Sequence, residues 1–428
     1  MRRALRAFLP PLLASLIGMA LWAALVLFGT LEGWGRAKLA PPGDGAAFMA
    51  AAQREIAAQH KGNVAFRLLR DGRVIGEYFV SAGEPVDADT LFQVASLSKW
   101  ITAFGVMHLV DAGKLDLDAP VSTYLRRWSL PPSEFANNEV TVRRLLSHTA
   151  GLTDDLGYAG FVPGAPVQQL EASLTRASDA SPGKDGRVRV GLKPGSEWRY
   201  SGGGYTLLQL LIEEASGEPF ADYMRRAVFL PLGMTRSTFV VDANTANVAA
   251  MYNVDGKPAT HFKFTALAAT SLYTSAADMT RFVQAQLVGP NGEPPGRGLI
   301  KPSTLNLMRQ PHASTMGADI WGLGTMLYVP LHDGGFIVGH DGNNEPAINT
   351  AVRLNPANGD AIVVLETGNK LLATEIAGKW AFWQAGAIDF LTALMSARTM
   401  LQFIAAGGFV IFVGGLFVGS RRWRRTDG

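Results

Sequence analysis

Two long uncharged apolar runs, one near each end of the chain, constrain the fold more than any other feature of the sequence. The first covers residues 8–30 and the second covers residues 400–420. A helix needs about 20 apolar residues to cross the hydrocarbon core of a bilayer, and both runs reach that length. We therefore predict an N-terminal membrane anchor over residues 1–31 and a transmembrane helix over residues 400–420.

The arginines beside these runs predict how the chain crosses the membrane. The sequence MRRALR precedes the first run, and RRWRR follows the second within the tail 421–428. Basic residues next to a span stay on the cytoplasmic side. Both ends are therefore expected in the cytoplasm, with the residues between the runs in the periplasm of an inner-membrane protein. No clear cleavage site follows the first run, which is longer than a signal-peptide core, so we predict an uncleaved anchor.

Composition narrows the partners expected for the segment between the two runs. The net charge of +3 and the pI near 9.0 come largely from the flanking arginines, so they reflect membrane topology rather than a nucleic-acid ligand. The absence of cysteine is compatible with an oxidising compartment. We expect a small-molecule or short-peptide substrate, contact with membrane lipid through the terminal helices, no nucleic acid, and an oligomeric state that the sequence leaves open.

The order of β-like and helical segments predicts an α+β fold. Two β-like runs within residues 62–80 are joined by Asp71-Gly72, a strong hairpin signal. Four more lie between residues 325 and 366, separated by DGG, DGNNEP and NPANGD, which we interpret as turns. Strands at both ends with helices between them predict an antiparallel sheet formed by N- and C-terminal strands, with flanking helices and an all-helical lobe.

The predicted domain organisation follows from these segments. Residues 32–60 form a linker and a first helix, residues 61–385 form one catalytic domain, and residues 386–399 form a juxtamembrane segment. Apolar residues at helical spacing predict further helices over residues 98–113, 141–151, 204–217, 220–228 and 275–288. The polar, glycine-rich segment 179–192 is predicted to be a loop.

The sequence FQVASLSKW places Ser96 and Lys99 three residues apart, where a β-like run gives way to a helix. Residues at this spacing share one helix face, so the hydroxyl and the amine can meet. A lysine can take the serine proton only where burial or another cation lowers its pKa. The alternative is that Ser96 is a helix N-cap and Lys99 is solvated. Spacing alone leaves both readings open.

A second S-x-x-K match, at Ser181 and Lys184, provides a comparison within the same chain. It lies in the polar loop, and no periodic apolar helix follows it. Short motifs of this kind often occur by chance. The match at Ser96 is therefore favoured by its context and not by its spacing.

Two other motifs carry candidate site residues. Tyr200 begins Y-S-G-G-G-Y just before a helix, where its phenol could reach the hydroxyl of Ser96; the alternative is a glycine turn with a half-buried aromatic ring. His340 lies in GHDGNN at the end of an apolar run, where a strand edge could offer backbone N–H groups to an oxyanion. The alternative there is a hairpin with an Asp-Gly turn and an incidental histidine.

Other hydrolase chemistries find little support in the sequence. The seven histidines include no H-E-x-x-H or other close ligand pair, and His148 in LLSHTAGL is interpreted as a structural hydrogen-bonding residue. The G-x-S-x-G elbow of α/β-hydrolases is absent. We therefore expect no metal and no cofactor, and serine chemistry assisted by lysine and tyrosine remains.

Taken together, six motifs resemble the serine β-lactamase-related family, which includes class C β-lactamases, D,D-peptidases, D-aminopeptidases and esterases. They occur in order between about residues 60 and 367: FQVASLSK, LLSHTAGL, YSGGGY, PLGM, WGLG and GHDG. The resemblance implies a site between a sheet and a helical lobe. It also implies that Ser96 is the acyl-forming nucleophile, Lys99 its proton partner, and Tyr200 the phenol that shuttles protons to the leaving group.

The same resemblance implies an oxyanion hole and one departure from the family pattern. The expected donors are the backbone N–H groups of Ser96 and Asn343, with His340 and Gly342 beside them at the substrate. The second motif usually ends in asparagine, and this chain has Gly202 at that position. The missing amide would hold a substrate carbonyl and the lysine, so β-lactam hydrolysis is in doubt.

These observations predict a membrane-bound periplasmic serine hydrolase that acts through an acyl-Ser96 intermediate on an amide or ester substrate. A peptidase or esterase is favoured over a true β-lactamase. The alternative is a ligand-binding or penicillin-sensing homologue that binds a ligand, or is acylated by it, without turnover.

Overall fold

The computed structural model describes residues 2–154, 157–332 and 334–426. These residues form two compact units: one extends from Leu39 to Trp380, and the other combines the chain up to Lys38 with the chain from Ala381 onward. The helices are α1 (Arg2–Leu31), α2 (Gly45–Gln59), α3 (Ser98–Asp111), α4 (Val142–Leu146), α5 (Leu170–Thr175), α6 (Gly202–Ser216), α7 (Phe220–Met224), α8 (Leu267–Thr270), α9 (Ala276–Ala285), α10 (Pro302–Met308), α11 (Leu372–Ala385) and α12 (Phe390–Thr426). The strands are β1 (Val64–Arg70), β2 (Arg73–Val80), β3 (Phe92–Gln93), β4 (Met251–Tyr252), β5 (Pro258–Ala259), β6 (Tyr273–Thr274), β7 (Ala313–Thr315), β8 (Ala318–Trp321), β9 (Met326–Pro330), β10 (Phe336–Asn344), β11 (Ile348–Leu354) and β12 (Ala361–Thr367).

An eight-stranded antiparallel sheet joins the two ends of the larger unit. Its strand order is β2-β1-β12-β11-β10-β9-β8-β7, so the first two strands pair beside the last one. The register places Val64 of β1 opposite Glu366 of β12. The predicted fold class, with a sheet made of N- and C-terminal strands, is confirmed.

The first hairpin forms where Asp71-Gly72 predicted it. Both residues have positive φ angles, 50° and 70°, as a type I′ turn requires. This turn matches the right-handed twist of β1 and β2. Helix α2, the first helix predicted after the linker, packs on these strands, and its Met49 side chain lies against Gly76 of β2.

One predicted turn is wrong. We interpreted DGNNEP as a connection between strands, but β10 continues through Asp341 and Gly342 and pairs with β11 as far as Asn344, opposite Ile348. Its other neighbour, β9, ends its pairing at Gly339. The last five residues of β10 therefore have an edge that β9 does not cover, and tertiary packing there overrides the turn preference of Asp-Gly.

Three of the predicted helices agree closely with α3, α6 and α9, whereas the predicted helix over 141–151 is much shorter. Only Val142–Leu146 is helical, because His148 takes a positive φ of 57° that ends the helix. The segment predicted over 220–228 becomes α7 followed by a π-helical turn, Arg225–Phe229. Helices α5, α8 and α10 are shorter than a periodic pattern can reveal, and α11 was also missed.

Helix α3 is the centre of the helical lobe. Every residue from Ser98 to Met107 is buried, and the helix packs against α6, α8 and β10. Phe282 of α9 meets Trp100 edge to face, with ring centroids 5.1 Å apart. A helix enclosed on all sides has little freedom to shift, so the residues at its N-terminal end are held in fixed positions.

The two terminal helices pair with each other in the smaller unit. Trp22 donates its indole N–H to the Phe403 carbonyl at 2.9 Å, and Ser15 donates its hydroxyl to the Ile411 carbonyl at 3.3 Å. These contacts make α1 and α12 antiparallel, so their arginine-rich ends lie together. Both helices are long and apolar enough to cross a membrane, and α12 is continuous over the segment we divided at residue 400.

Candidate active site

Ser96 lies in a tight 3₁₀ turn, Ala95–Leu97, directly before α3. Ala95 has a positive φ of 47°, a conformation that costs an alanine about 1 kcal/mol or more. Ser98 holds the turn, because its hydroxyl donates to the Ala95 carbonyl at 2.6 Å and accepts from the Leu272 N–H at 3.0 Å. The N-cap of α3 is Leu97, without a side-chain bond. Ser96 is therefore not a capping residue, and that alternative is wrong.

Lys99 brings its amine to the hydroxyl of Ser96. The side chain is buried, and Nζ donates to Ser96 Oγ at 3.1 Å and to the Ala269 carbonyl at 2.7 Å. Nζ also lies 5.0 Å from the ring centroid of Tyr200 and 5.6 Å from that of Tyr205. Within the described residues no carboxylate lies within ion-pair distance of this amine. The alternative of a solvated Lys99 is wrong.

His148 holds Tyr200 in place. Its carbonyl accepts from the Arg199 N–H at 2.8 Å, and its Nδ1 accepts from the Ser201 N–H at 3.1 Å. Its ring also packs against the Tyr200 ring, with centroids 4.4 Å apart. Burial foremost, and then the charge of Lys99, holds the pKa of His148 well below its ordinary range, so the ring is neutral. The prediction of a structural hydrogen-bonding role is confirmed.

Asp154, which the sequence did not single out, organises the glycine segment after Tyr200. Its two carboxylate oxygens accept from the Ser201 hydroxyl and from the Gly203 N–H. Ser201 in turn caps α6 by accepting from the Gly204 N–H at 2.7 Å. A Cβ at Gly203 would lie 3.0 Å from the Asp154 carboxyl carbon. The second glycine therefore allows the carboxylate to approach, a tertiary contact that local sequence cannot reveal.

These elements enclose a cleft of about 470 Å³, within the size range of small-molecule sites. It is lined by Ser96, Lys99, Gly157, Tyr158, Lys184, Tyr200, Gly202, Thr270, Asn343 and Asn344. Five of the seven predicted site residues are in this set. His340 and Gly342 do not line the cleft.

His340 differs most from expectation. Only 1% of the residue is exposed, and Nδ1 lies 2.6 Å from the Asp341 carbonyl oxygen. The Trp321 ring packs edge to face against the imidazole, with ring centroids 5.4 Å apart. Burial foremost, together with the charge of Lys99, lowers the pKa of His340 to about 3, so the ring is neutral near pH 7. A cationic contact with substrate at this position does not fit the structure.

Gly342 acts through its backbone. A Cβ at this position would lie 2.0 Å from the Val94 carbonyl oxygen and 3.1 Å from the Leu97 nitrogen. Thr350 of β11 secures the same contact by donating its hydroxyl to the Val94 carbonyl at 2.9 Å. Strand β10 therefore lies directly on the turn that carries Ser96. This packing brings Asn343 to the cleft wall beside the serine.

A buried polar network supports β10 from behind. The Asp341 carboxylate accepts from the Arg353 guanidinium at 2.7 Å, from the Tyr328 hydroxyl at 2.6 Å and from the Thr374 hydroxyl at 2.6 Å. The guanidinium of Arg353, which is fully buried, lies 3.9 Å from the centroid of the Tyr328 ring. We missed this network because we interpreted Asp341 as a turn residue.

Known proteins similar to this chain include penicillin-binding proteins and an esterase. Penicillin-binding protein 4 of Amycolatopsis lactamdurans is 30% identical over 299 residues, which cover 67% of this chain and 74% of that protein. Esterase EstB of Burkholderia gladioli is 34% identical over 191 residues, 41% of this chain and 45% of the esterase. The match to the esterase thus spans less than half of its length.

Solved structures share the fold. The octameric penicillin-binding protein homologue from Pyrococcus abyssi has a TM-score of 0.62 at 24% identity, covering 79% of this chain and 76% of its own. D-alanine carboxypeptidase AmpC from Burkholderia cenocepacia has a TM-score of 0.61 at 23% identity, covering 78% and 99%. The Beta-lactamase family profile matches residues 48–386. Ser96 and Lys99 are hydrogen-bonded in a cleft between the sheet and the helices. From the profile match and this site, the chain belongs to the Beta-lactamase family of serine hydrolases.

Proposed function

We propose that this protein is a membrane-bound, periplasmic serine hydrolase that forms an acyl-Ser96 intermediate with an amide or ester substrate. The observation that carries the proposal is the hydrogen bond between the buried amine of Lys99 and the hydroxyl of Ser96, at 3.1 Å on the cleft wall. A serine hydroxyl becomes a useful nucleophile when an adjacent base can take its proton. Lys99 is the described residue in that position.

In the proposed acylation, Ser96 Oγ attacks the substrate carbonyl carbon and its proton passes to Lys99. The negative charge that develops on the carbonyl oxygen is stabilised by the backbone N–H groups of Ser96 and Asn343. Collapse of this intermediate breaks the bond to the leaving group, which receives the proton by way of the Tyr200 phenol. Water then attacks the acyl-serine, and its proton returns along the same path as Ser96 is released.

The contacts of Lys99 support a peptidase or esterase rather than a β-lactamase. Gly202 brings no amide side chain to the cleft, and the second hydrogen bond of Lys99 goes to the backbone carbonyl of Ala269. The main chain therefore takes the place of a side-chain amide in holding the amine. No side chain at Gly202 is present to fix a substrate carbonyl. Relatives named as penicillin-binding protein, esterase and D-alanine carboxypeptidase agree with this substrate range.

The terminal helices support a membrane location. Helices α1 and α12 pair in antiparallel orientation, and both are of spanning length. With the arginine-rich ends in the cytoplasm, the cleft would face the periplasm. The proposed enzyme therefore acts on substrates on the periplasmic side of the inner membrane.

The test is a substrate panel with purified full-length protein in detergent: D-amino-acid amides, acyl-D-amino-acid peptides, short esters and a chromogenic cephalosporin. We expect turnover of an amide or ester, loss of at least about 100-fold in kcat with Ser96→Ala or Lys99→Met, and no loss with Ser181→Ala. Ser181 is the matched control, because it belongs to the other S-x-x-K match.

Intact mass spectrometry separates the possible results. A transient acyl adduct that Ser96→Ala abolishes supports the proposal. An adduct that persists without product identifies the non-turnover ligand-binding homologue instead. Failure of Ser96 to take up any active-site serine probe, at any pH at which the protein is folded, would refute serine catalysis.

A further inference from the structure

Lys184, the lysine of the second S-x-x-K match, lines the cleft. The sequence placed it in a polar loop without a role, yet the structure brings it to the same cleft as Ser96, together with Gly157 and Tyr158. Tyr158 and Ala180 form an isolated antiparallel bridge. The loop that carries Lys184 is therefore part of the cleft wall.

Backbone hydrogen bonds fix this loop at both ends. The Ser181 N–H donates to the Gly157 carbonyl at 2.9 Å, and the Ala177 N–H donates to the Gly186 carbonyl at 2.7 Å. Within the turn, the Lys184 N–H donates to the Ser181 carbonyl at 3.0 Å. The side chain of Lys184 thus projects from a turn whose backbone is held against the cleft wall.

The charges around the cleft leave this ammonium available. Lys184 is exposed and makes no ion pair with any described residue. The carboxylate of its neighbour Asp185 pairs instead with the guanidinium groups of Arg187 and Arg189, at N–O distances of 3.6 and 3.7 Å. The amine of Lys99 is already bonded to Ser96. No aspartate or glutamate is among the described residues that line the cleft. Among the described residues of the cleft, Lys184 is therefore a cation without an ion-pair partner, and no carboxylate lies opposite it.

We propose that Lys184 binds a carboxylate of the substrate and so makes the enzyme selective for anionic acyl compounds. This inference rests on the proposed function for its kinetic test and adds a substrate class to it. A lysine acts as a compact point charge that tolerates several carboxylate geometries. Because the side chain is exposed, its contribution is that of a partly screened ion pair, about fivefold in affinity.

Two matched pairs of aryl esters test the proposal. One pair carries the carboxylate on the acyl part (para-nitrophenyl hydrogen adipate against para-nitrophenyl hexanoate), and the other carries it on the leaving group (meta-carboxyphenyl acetate against phenyl acetate). The measured quantity is the ratio of kcat/KM for the anionic ester to that for the neutral ester. We expect Lys184→Met to lower this ratio about fivefold in at least one pair, mainly through KM, and Lys184→Glu to lower it further.

The control is Lys193→Met, which removes an exposed lysine that does not line the cleft and should leave the ratio unchanged. The expected loss should also shrink at high salt. If Lys184→Met changes both members of each pair equally, or changes neither, the proposal is overturned.

A binding measurement keeps this result separate from the proposed chemistry. Calorimetry with Ser96→Ala, alone and combined with Lys184→Met, measures the affinity for the adipate monoester without turnover. Weaker binding of the double variant supports the role of Lys184 even if the wild-type protein hydrolyses no ester. Such a lack of hydrolysis would refute only serine catalysis on esters. Equal binding by the two variants refutes the role of Lys184.

Discussion

Glu366 shows how a single buried side chain links the stability of this fold to pH. It lies on β12 with none of its surface exposed, and one of its carboxyl oxygens accepts from the Ala373 N–H at 3.2 Å. Burial raises the pKa of Glu366 from 4.5 to about 8. The folded protein therefore keeps a proton that the unfolded chain releases above pH 4.5.

The sign of the effect follows from this difference in bound protons. Between pH 4.5 and about 8 the native state binds more protons than the unfolded state, so the free energy of unfolding falls as pH rises through this window. We expect Glu366→Gln, which retains an acceptor for Ala373, to raise the free energy of unfolding at pH 8 by on the order of 3 kcal/mol. It should have little effect at pH 4.5.

Chemical denaturation across this pH range measures the effect. Glu84→Gln, at an exposed position, is the control and should leave the pH dependence unchanged. A Glu366→Gln curve parallel to that of the wild type from pH 4.5 to 8 would show that Glu366 ionises normally in the folded protein.

At the scale of elements, the contact between β10 and the turn before α3 decides the position of the nucleophile. Neither element pairs with the other through a regular ladder, and their approach depends on the missing side chain at Gly342. The network around Asp341 holds the strand from its other side, and the hydroxyl of Thr350 on the neighbouring strand holds the turn through the Val94 carbonyl. A small displacement of β10 would therefore move Asn343 relative to Ser96.

We predict that Gly342→Ala separates these two elements and lowers kcat by about 100-fold, because a displacement of about 1 Å in a catalytic group has an effect of that size. The added methyl group would also cost about 1–3 kcal/mol of stability. Gly62→Ala is a matched control, since its Cβ would lie 2.4 Å from the Thr367 carbonyl oxygen, at a residue that does not line the cleft.

Kinetics and thermal unfolding of both variants distinguish the two effects. Both should unfold at lower temperature, and only Gly342→Ala should lose activity in the fraction that remains folded. Equal specific activity of the two variants would mean that the contact at Gly342 is purely structural.

At the scale of the whole molecule, the cysteine-free chain allows the proposed topology to be tested with single cysteines. Met316 is 97% exposed in the larger unit, and Thr426 ends α12 beyond the arginine cluster. In spheroplasts, an impermeant maleimide should label Met316→Cys and should label Thr426→Cys only after the membrane is broken. Labelling of both positions in intact spheroplasts would contradict a cytoplasmic C-terminus.

Sequence reasoning succeeded where the signal is local. The period of apolar residues gave α3, α6 and α9, and the Asp71-Gly72 pair gave the first hairpin. Motif order placed Ser96, Lys99 and Tyr200 in one family pattern. It failed at α4, which the backbone at His148 shortens, and at β10, which packing extends through Asp341 and Gly342.

The sequence by itself determined the spanning lengths of the terminal runs, the strand and helix order, and the residue types that serine chemistry needs, because each depends on neighbours along the chain. The tertiary structure decided what those residues meet. It buried His340 against Trp321, brought Asp154 to Gly203, and placed Lys184, in a loop to which we had given no role, on the cleft wall. These outcomes depend on contacts between residues distant in the chain, where burial and close packing override local preference.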